Sequence, residues 1–397
     1  MLTAFVLAAV WLALAVLSTI IANHARISMA LVEICVGVAA GWAAMRWLSP
    51  GVLGQDQEWL RFMASAGAVL LTFLAGAELE PTALKGKRRE VLLVGTIGFF
   101  APFLGCAALA FYLLHWDPRA SLLAGIALST TSMAVVYAVM VETGLNKTGY
   151  GKGILGACFV NDLGTVIALG LIFAPFTYRT WVFLGVTVAV LAALPWLTGV
   201  LTRAYAYRTA AVRTKWVLAV LFGLGALSIW AGSEAVLPAY LVGMVLATAV
   251  SADQFFMRRL RTLTIGFLTP FYFLRAGMLV SVPAIAGAAT IFLVLLGAKV
   301  FSKIAGLYPV IGLFRRKPRE LWYYTLLMST GLTFGTISAL YGLSHNIISQ
   351  EQYSLLVATV IASAVIPTVI ANTAFLPKHL LATQPIPDDE ELPQLDR

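Results

Sequence analysis

The chain has 397 residues, of which 60% are hydrophobic and only 11% charged, and its mean hydropathy is +0.89. That composition excludes a water-soluble globular domain and a disordered chain, and it places the sequence among polytopic membrane proteins. The net charge of +9 does not indicate nucleic acid, because the basic residues lie in short connections between apolar runs and form no soluble basic domain.

Thirteen apolar runs follow one another, at roughly 2–22, 27–48, 61–79, 90–114, 119–141, 153–174, 180–202, 214–231, 234–250, 261–281, 284–312, 321–343 and 352–376. The first has no basic stretch ahead of it and reads as a retained helix, not a cleaved leader. Runs of this length are too long for membrane strands, and in lipid only helices and closed barrels satisfy the backbone. The predicted fold is therefore all-α and polytopic, with about 13 transmembrane helices. Cys35, Cys106 and Cys158 fall inside these runs and read as small hydrophobes, with no disulfide framework and no metal site.

Every second connection is basic. The groups are Lys85, Lys87, Arg88 and Arg89; Lys147 and Lys152; Arg203, Arg208, Arg213 and Lys215; Arg258, Arg259 and Arg261; and Arg315, Arg316, Lys317 and Arg319. The alternate connections carry chiefly Arg46, Arg61, Arg119 and Arg179. The positive-inside rule makes the basic side cytoplasmic, with the N-terminus outside and the C-terminus inside. The tail after Lys378, with Asp388, Asp389, Glu390 and Glu391, is short and acidic and reads as disordered.

Thirteen helices divide as six, one and six, and the two sixes begin on opposite sides. Two inverted six-helix repeats joined by a linker helix are thus expected. The fifth helix of each repeat carries a polar interruption: Ser129-Thr130-Thr131-Ser132, and Ser329-Thr330-Gly331-Leu332-Thr333 continuing to Thr336. Paired breaks expose half-helix ends and free carbonyls near the midplane, where ions bind. The plainer alternative is that these hydroxyls bond back to their own helix.

Asn161-Asp162 sits halfway along the sixth run. A carboxylate at that depth costs roughly 3 kcal/mol even on the lenient insertion scale, which makes it a functional candidate. Asp162 holds a proton or coordinates a hard cation, but not both, as cation:proton exchange requires. The bland alternative is a buried aspartate that ties two helices together. Lys299 and Lys303, four apart on one face of the eleventh helix, are candidate salt-bridge partners for Asp162, with snorkelling to the interface as the alternative. Arg275 needs a carboxylate, carbonyls or a wet cavity, and serves either structural pairing or the ion path. Glu33, Glu78, Glu80 and Glu142 near cytoplasmic helix ends form a negative funnel or sit solvated at the interface. Glu78 is favoured among them because Gly76 beside it permits close backbone approach. His24, His115, His345 and His379 lie at helix ends or in loops without metal-ligand spacing.

Taken together, Thr131-Ser132, Asn161-Asp162, Gly67-Ala68-Val69 with Gly76-Ala77-Glu78, Pro238-Ala239-Tyr240-Leu241-Val242-Gly243 and the two lysines resemble the monovalent cation:proton antiporter superfamily, of the bacterial sodium/proton exchanger type. The resemblance covers nearly all of residues 1–376. It implies panel helices in 1–87 and 213–282, core helices in 88–176 and 283–377, a linker helix in 177–212 and a tail at 378–397. It further implies that the broken helices cross in the core, that the protein is a homodimer, and that the core moves against the panel in alternating access. Relatives with Asn-Asp tend to be electroneutral, so Asn161 implies one cation per proton. Many bacterial relatives carry Arg-Gly-Glu where this chain reads Thr330-Gly331-Leu332, and Arg275 is a possible replacement for that arginine.

The expected protein is a secondary antiporter in a bacterial plasma membrane. It exchanges sodium or potassium for protons with no cofactor, with Asp162, Asn161, Thr131 and Ser132 as the site and Thr130 and Thr333 as secondary candidates. A sodium-coupled solute symporter on the same fold and an intramembrane enzyme remain as alternatives.

Overall fold

The computed structural model describes residues 2–25, 27–48, 51–77, 87–173, 177–205, 211–251 and 254–380. Glu78, Glu80, Lys85, Arg208 and the acidic residues of the tail lie outside the described residues. The helices run α1 (Leu2–Ala25), α2 (Met29–Trp47), α3 (Glu58–Ala77), α4 (Arg88–Tyr112), α5 (Pro118–Ser129), α6 (Met133–Glu142), α7 (Gly149–Phe173), α8 (Tyr178–Tyr205) and α9 (Ala211–Trp230). They continue as α10 (Val236–Ser251), α11 (Gln254–Leu263), α12 (Thr269–Met278), α13 (Val282–Gly287), α14 (Ala289–Gly312), α15 (Pro318–Met328), α16 (Thr333–Ser344) and α17 (Gln350–Ile370). No strand occurs among the described residues.

Eleven of these helices, counting collinear halves as one, are long and apolar enough to cross a membrane, and Val236–Thr248 is a shorter apolar helix. The tenth expected run does not form a uniform apolar helix. It begins inside α11, whose Arg258 and Arg259 precede it and whose Arg261 is its first residue, and a π-helical turn, Thr264–Leu268, joins α11 to α12. The eleventh run is divided as well, into α13 and α14.

Both polar interruptions break their helix. Thr130 leaves α5 with an extended backbone (ψ 148°), and Leu332 enters α16 at φ −155° and ψ −76°. The two half-helices that lead into the breaks start alike, with Pro118-Arg119 and Pro318-Arg319, and end alike, with Ser129-Thr130 and Ser329-Thr330. Proline suits the first turn of a helix because its missing N–H has no partner to lose there. The spacing from proline to Ser-Thr is the same in both.

α3 packs along α10 and α12, and α2 packs along α12. Glycines set these close approaches: a side chain at Gly76 or Gly243 would run into the backbone of α10 or α3, and one at Gly37 or Gly277 into that of α12 or α2. Small residues at matching positions let membrane helices pack backbone to backbone. On the other side, α4 packs against α5, α7 and α14, and α17 closes over α14 and α16. α1 and α8 remain outermost, with Phe5, Val16, Trp181, Val188 and Trp196 exposed. Apolar side chains at such positions are at home in lipid.

The basic ends of the core are tied together. Arg315, in the connection after α14, grips Glu90 in the first turn of α4 with bonds of 2.7 and 2.9 Å from one nitrogen. Its guanidinium also lies 5.2 Å from the centre of the Tyr150 ring. Lys87 bonds to the Gly149 carbonyl, and burial, with the charge of Arg315 next, lowers its ammonium pKa. Glu320 pairs with His379 at 2.7 Å.

Candidate functional site at the crossed helix breaks

α5–α6 and α15–α16 cross at their breaks, and the backbones touch: Ser132 N donates to the Thr330 carbonyl at 3.0 Å. Each break frees carbonyls at the end of one half-helix and N–H groups at the start of the next, concentrating partial charges of both signs in one buried place. α7 passes beside the crossing and brings Asn161 and Asp162, both buried, to it.

Asn161 is fully engaged with the first break. Its Oδ1 accepts from Thr131 N at 2.9 Å, and its Nδ2 donates to the Ser129 carbonyl at 3.3 Å. One side-chain amide thus satisfies a donor and an acceptor that the broken helix left open. Asp162 is engaged differently: its Oδ1 is buried with no hydrogen-bond partner. Buried polar atoms are nearly always satisfied, so an orphan carboxyl oxygen beside freed helix ends makes Asp162 a candidate site for a proton or a cation.

α14 supplies the lysines, both fully buried. Neither forms the expected ion pair with Asp162. Lys303 Nζ instead donates to Thr131 Oγ1 at 2.9 Å, and that hydroxyl donates onward to the Met328 carbonyl at 2.7 Å. The freed carbonyl of α15 therefore draws Lys303 to the crossing through Thr131. The charge of Lys303 still acts on Asp162. Lys299 Nζ has no hydrogen-bond partner and lies against Gly331, where a side chain would displace it. Both lysines thus reach the crossing and do not snorkel outward.

The other predicted positions divide. Ser132 Oγ accepts from Val135 N at 3.4 Å and caps the start of α6. The Thr130 hydroxyl donates back to the Ala127 carbonyl at 3.0 Å, as Thr330 does to Leu327 at 2.8 Å. Thr333 opens α16 at the second break. Arg275 is not at the crossing and does not replace an arginine there. It lies near the end of α12, where Nε donates to the Gln55 carbonyl at 2.8 Å and a terminal nitrogen lies 3.8 Å from Asp56. Glu33, expected at a solvated interface or in a funnel, is buried with Oε1 unpartnered, because α2 lies tightly along α12 at Gly37 and Gly277. Cys158 packs against Met328, sulfur to sulfur at 3.6 Å.

Tyr240, in the 238–243 stretch of α10, makes contacts that its sequence pattern does not specify. From α10 its hydroxyl donates to the Phe159 carbonyl of α7 at 3.0 Å, one turn before Asp162. Its ring stacks on Phe159 at 5.4 Å and meets Phe334 of α16 edge-on at 5.9 Å. The motif marked the position, but only the packing of α10 against α7 gives the partner.

The fold and the site define a polytopic membrane protein with a lone carboxyl group at the crossing of two interrupted helices. The profile of the family described as "Sodium/hydrogen exchanger, transmembrane" matches residues 12–375, and the chain belongs to that family and so to the monovalent cation:proton antiporter superfamily. It is 25% identical over 345 residues to a "Probable Na(+)/H(+) antiporter 3" of Methanocaldococcus jannaschii, covering 82% of this chain and 86% of that one. It is 23% identical to a "Na(+)/H(+) antiporter" of Enterococcus hirae, over 90% of this chain and 96% of the other. A "Glutathione-regulated potassium-efflux system protein" of Haemophilus influenzae is 24% identical, and the match spans 57% of that longer protein. Among solved structures, the sodium proton antiporter MjNhaP1 from Methanocaldococcus jannaschii superposes with a TM-score of 0.68 at 13% identity, covering 96% of this chain and 98% of that one.

Proposed function

We propose that the protein is a secondary active antiporter that exchanges sodium or potassium for protons, with Asp162 carrying either ion in turn. The observation that carries this reading is the unpartnered Asp162 oxygen at the crossing of two helix breaks, in a chain of the sodium/hydrogen exchanger family. A proton and a cation use the same oxygens, so occupancy by one excludes the other. Thr131, Ser132 and Asn161 shape the site through the hydrogen bonds that hold the breaks open. Relatives named for both sodium/proton exchange and potassium efflux support a monovalent cation. They also support transport over catalysis.

Exchange is electroneutral in this reading, because a single carboxyl group occupies the position next to Asn161. Access alternates by movement of α4–α7 and α14–α17 against α1–α3 and α9–α12, with α8 as the linker. A homodimer in a bacterial plasma membrane, with the N-terminus outside, belongs to the same proposal. Clustering of Lys87, Arg88, Arg315 and Arg316 at one end of the bundle supports that orientation. The test is dissipation of a pH gradient in proteoliposomes by lithium, sodium, potassium or rubidium alone, with and without a clamped potential. Exchange with these cations and no organic solute is the expected result. A requirement for a solute contradicts it.

A further inference from the structure

A cavity lies at the end of the bundle opposite the Glu90–Arg315 pair. It has a volume of about 300 Å³ and opens between α3, the connection from α9 to α10, α12 and α16. Glu234, in that connection, lines it together with Ser233 and Tyr272. Ser233 Oγ and the Tyr272 hydroxyl are buried, and neither has a hydrogen-bond partner. The residues themselves are 7% and 2% exposed. Three oxygen-bearing side chains therefore converge on one cavity, and two of them are unsatisfied. Glu234, Tyr272 and Tyr341 all line this one cavity.

The positive groups facing this cavity are Arg61 from α3, Arg275 from α12 and, when protonated, His345 after α16. Arg275 is held by Gln55 and Asp56. A His345 ring nitrogen lies 3.0 Å from the Tyr341 carbonyl. Arg61 is exposed. Among the described residues no ion pair is made to Glu234.

We propose that Glu234, with Ser233 Oγ and the Tyr272 hydroxyl, forms a second site for a monovalent cation, from which Asp162 is loaded on the outer side. The chemistry fits: a carboxylate and hydroxyl oxygens suit a hard cation and satisfy the two orphan groups at once. Burial raises the Glu234 carboxyl to about 7, so external acid competes with the cation there. The inference rests on the exchange reading above.

Two measurements test it. In proteoliposomes of known orientation, cation is supplied to one face at a time, and the half-saturating concentration is read for each face. Glu234→Gln is expected to raise the outer-to-inner ratio of these concentrations several-fold at a pH above the Glu234 titration, and to raise it less below. A rise that is equal from both faces, or no rise, overturns the proposal. The second measurement does not depend on exchange. Crystals of the Asp162→Asn protein soaked in thallium(I) are expected to show an anomalous peak at Glu234, lost in the Asp162→Asn/Glu234→Gln double variant. Absence of a peak at Glu234, or its persistence in the double variant, overturns the site whatever becomes of Asp162.

Discussion

Lys303 Nζ donates to Thr131 Oγ1 at 2.9 Å, and the Asp162 carboxyl, within reach of its charge, is left with an oxygen that no group holds. The lysine therefore acts on the site from a distance and does not occupy it. An arriving cation meets an open carboxyl group and need not break an ion pair. Lys303→Gln removes a positive charge that favours the ionised form of Asp162. The pH profile of exchange is then expected to move upward, because more alkaline conditions are needed to clear the proton. Lys299→Gln is expected to move the profile less, because Lys299 Nζ lies against Gly331 at the second break and makes no hydrogen bond to Thr131. Exchange measured against pH for both variants decides this, and equal shifts contradict the assignment.

Asn161→Asp tests the amide as a bridge across the break. The aspartate still accepts from Thr131 N but has no N–H for the Ser129 carbonyl. Losing one buried hydrogen bond and leaving its acceptor unpaired costs about 1–3 kcal/mol. A lower melting temperature is expected, with Asn161→Ala lower still because both bonds go. If Asn161→Asp melts with the parent, the amide does not hold the break.

Glu90 and Arg315 join the start of α4 to the connection before α15. Their side chains are 8% and 18% exposed, so solvent screens the pair little. Glu90→Gln removes the carboxylate charge and one of the two acceptor oxygens that the guanidinium grips, and a loss of about 2 kcal/mol is expected. The melting temperature should fall, and salt should do little to narrow the gap. A gap that closes in high salt would show the pair to be solvated.

Much of the fold was legible because a bilayer imposes simple rules. Apolar runs of bilayer length gave the helices, and alternating basic connections gave a consistent sidedness. Asp162 stood out for the same reason, since a carboxyl group at mid-depth has no cheap structural excuse. Geometry across the crossing was not legible. That Lys303 chooses Thr131 over Asp162 depends on the Met328 carbonyl, 197 residues from Thr131 in sequence. The π-helical turn at Thr264–Leu268 within the tenth run was not legible either, because a change of hydrogen-bond register leaves no mark in hydropathy. The matched Pro-Arg and Ser-Thr pairs of the two broken helices were present in the sequence. They gain meaning only once both breaks are seen to meet.

Glu234 gives a pH dependence of stability with a definite sign. Its folded pKa is raised from 4.5 to about 7, so between those values the folded state binds more protons than the unfolded. Stability from this group is therefore highest at low pH and declines as pH rises through that window. Glu234→Gln is expected to flatten the decline of melting temperature between pH 4.5 and about 7. Parallel curves for variant and parent would show that Glu234 is ionised and solvated throughout.

The most direct test of the account is exchange by Asp162→Asn in proteoliposomes, measured against sodium and potassium with the membrane potential clamped. The amide has the size of the carboxyl group but neither binds a proton nor carries the charge that holds a cation. Exchange is expected to be abolished while the purified variant folds and melts cooperatively like the parent. Exchange at the parental rate by Asp162→Asn would contradict it, whatever the fate of the lysines around it.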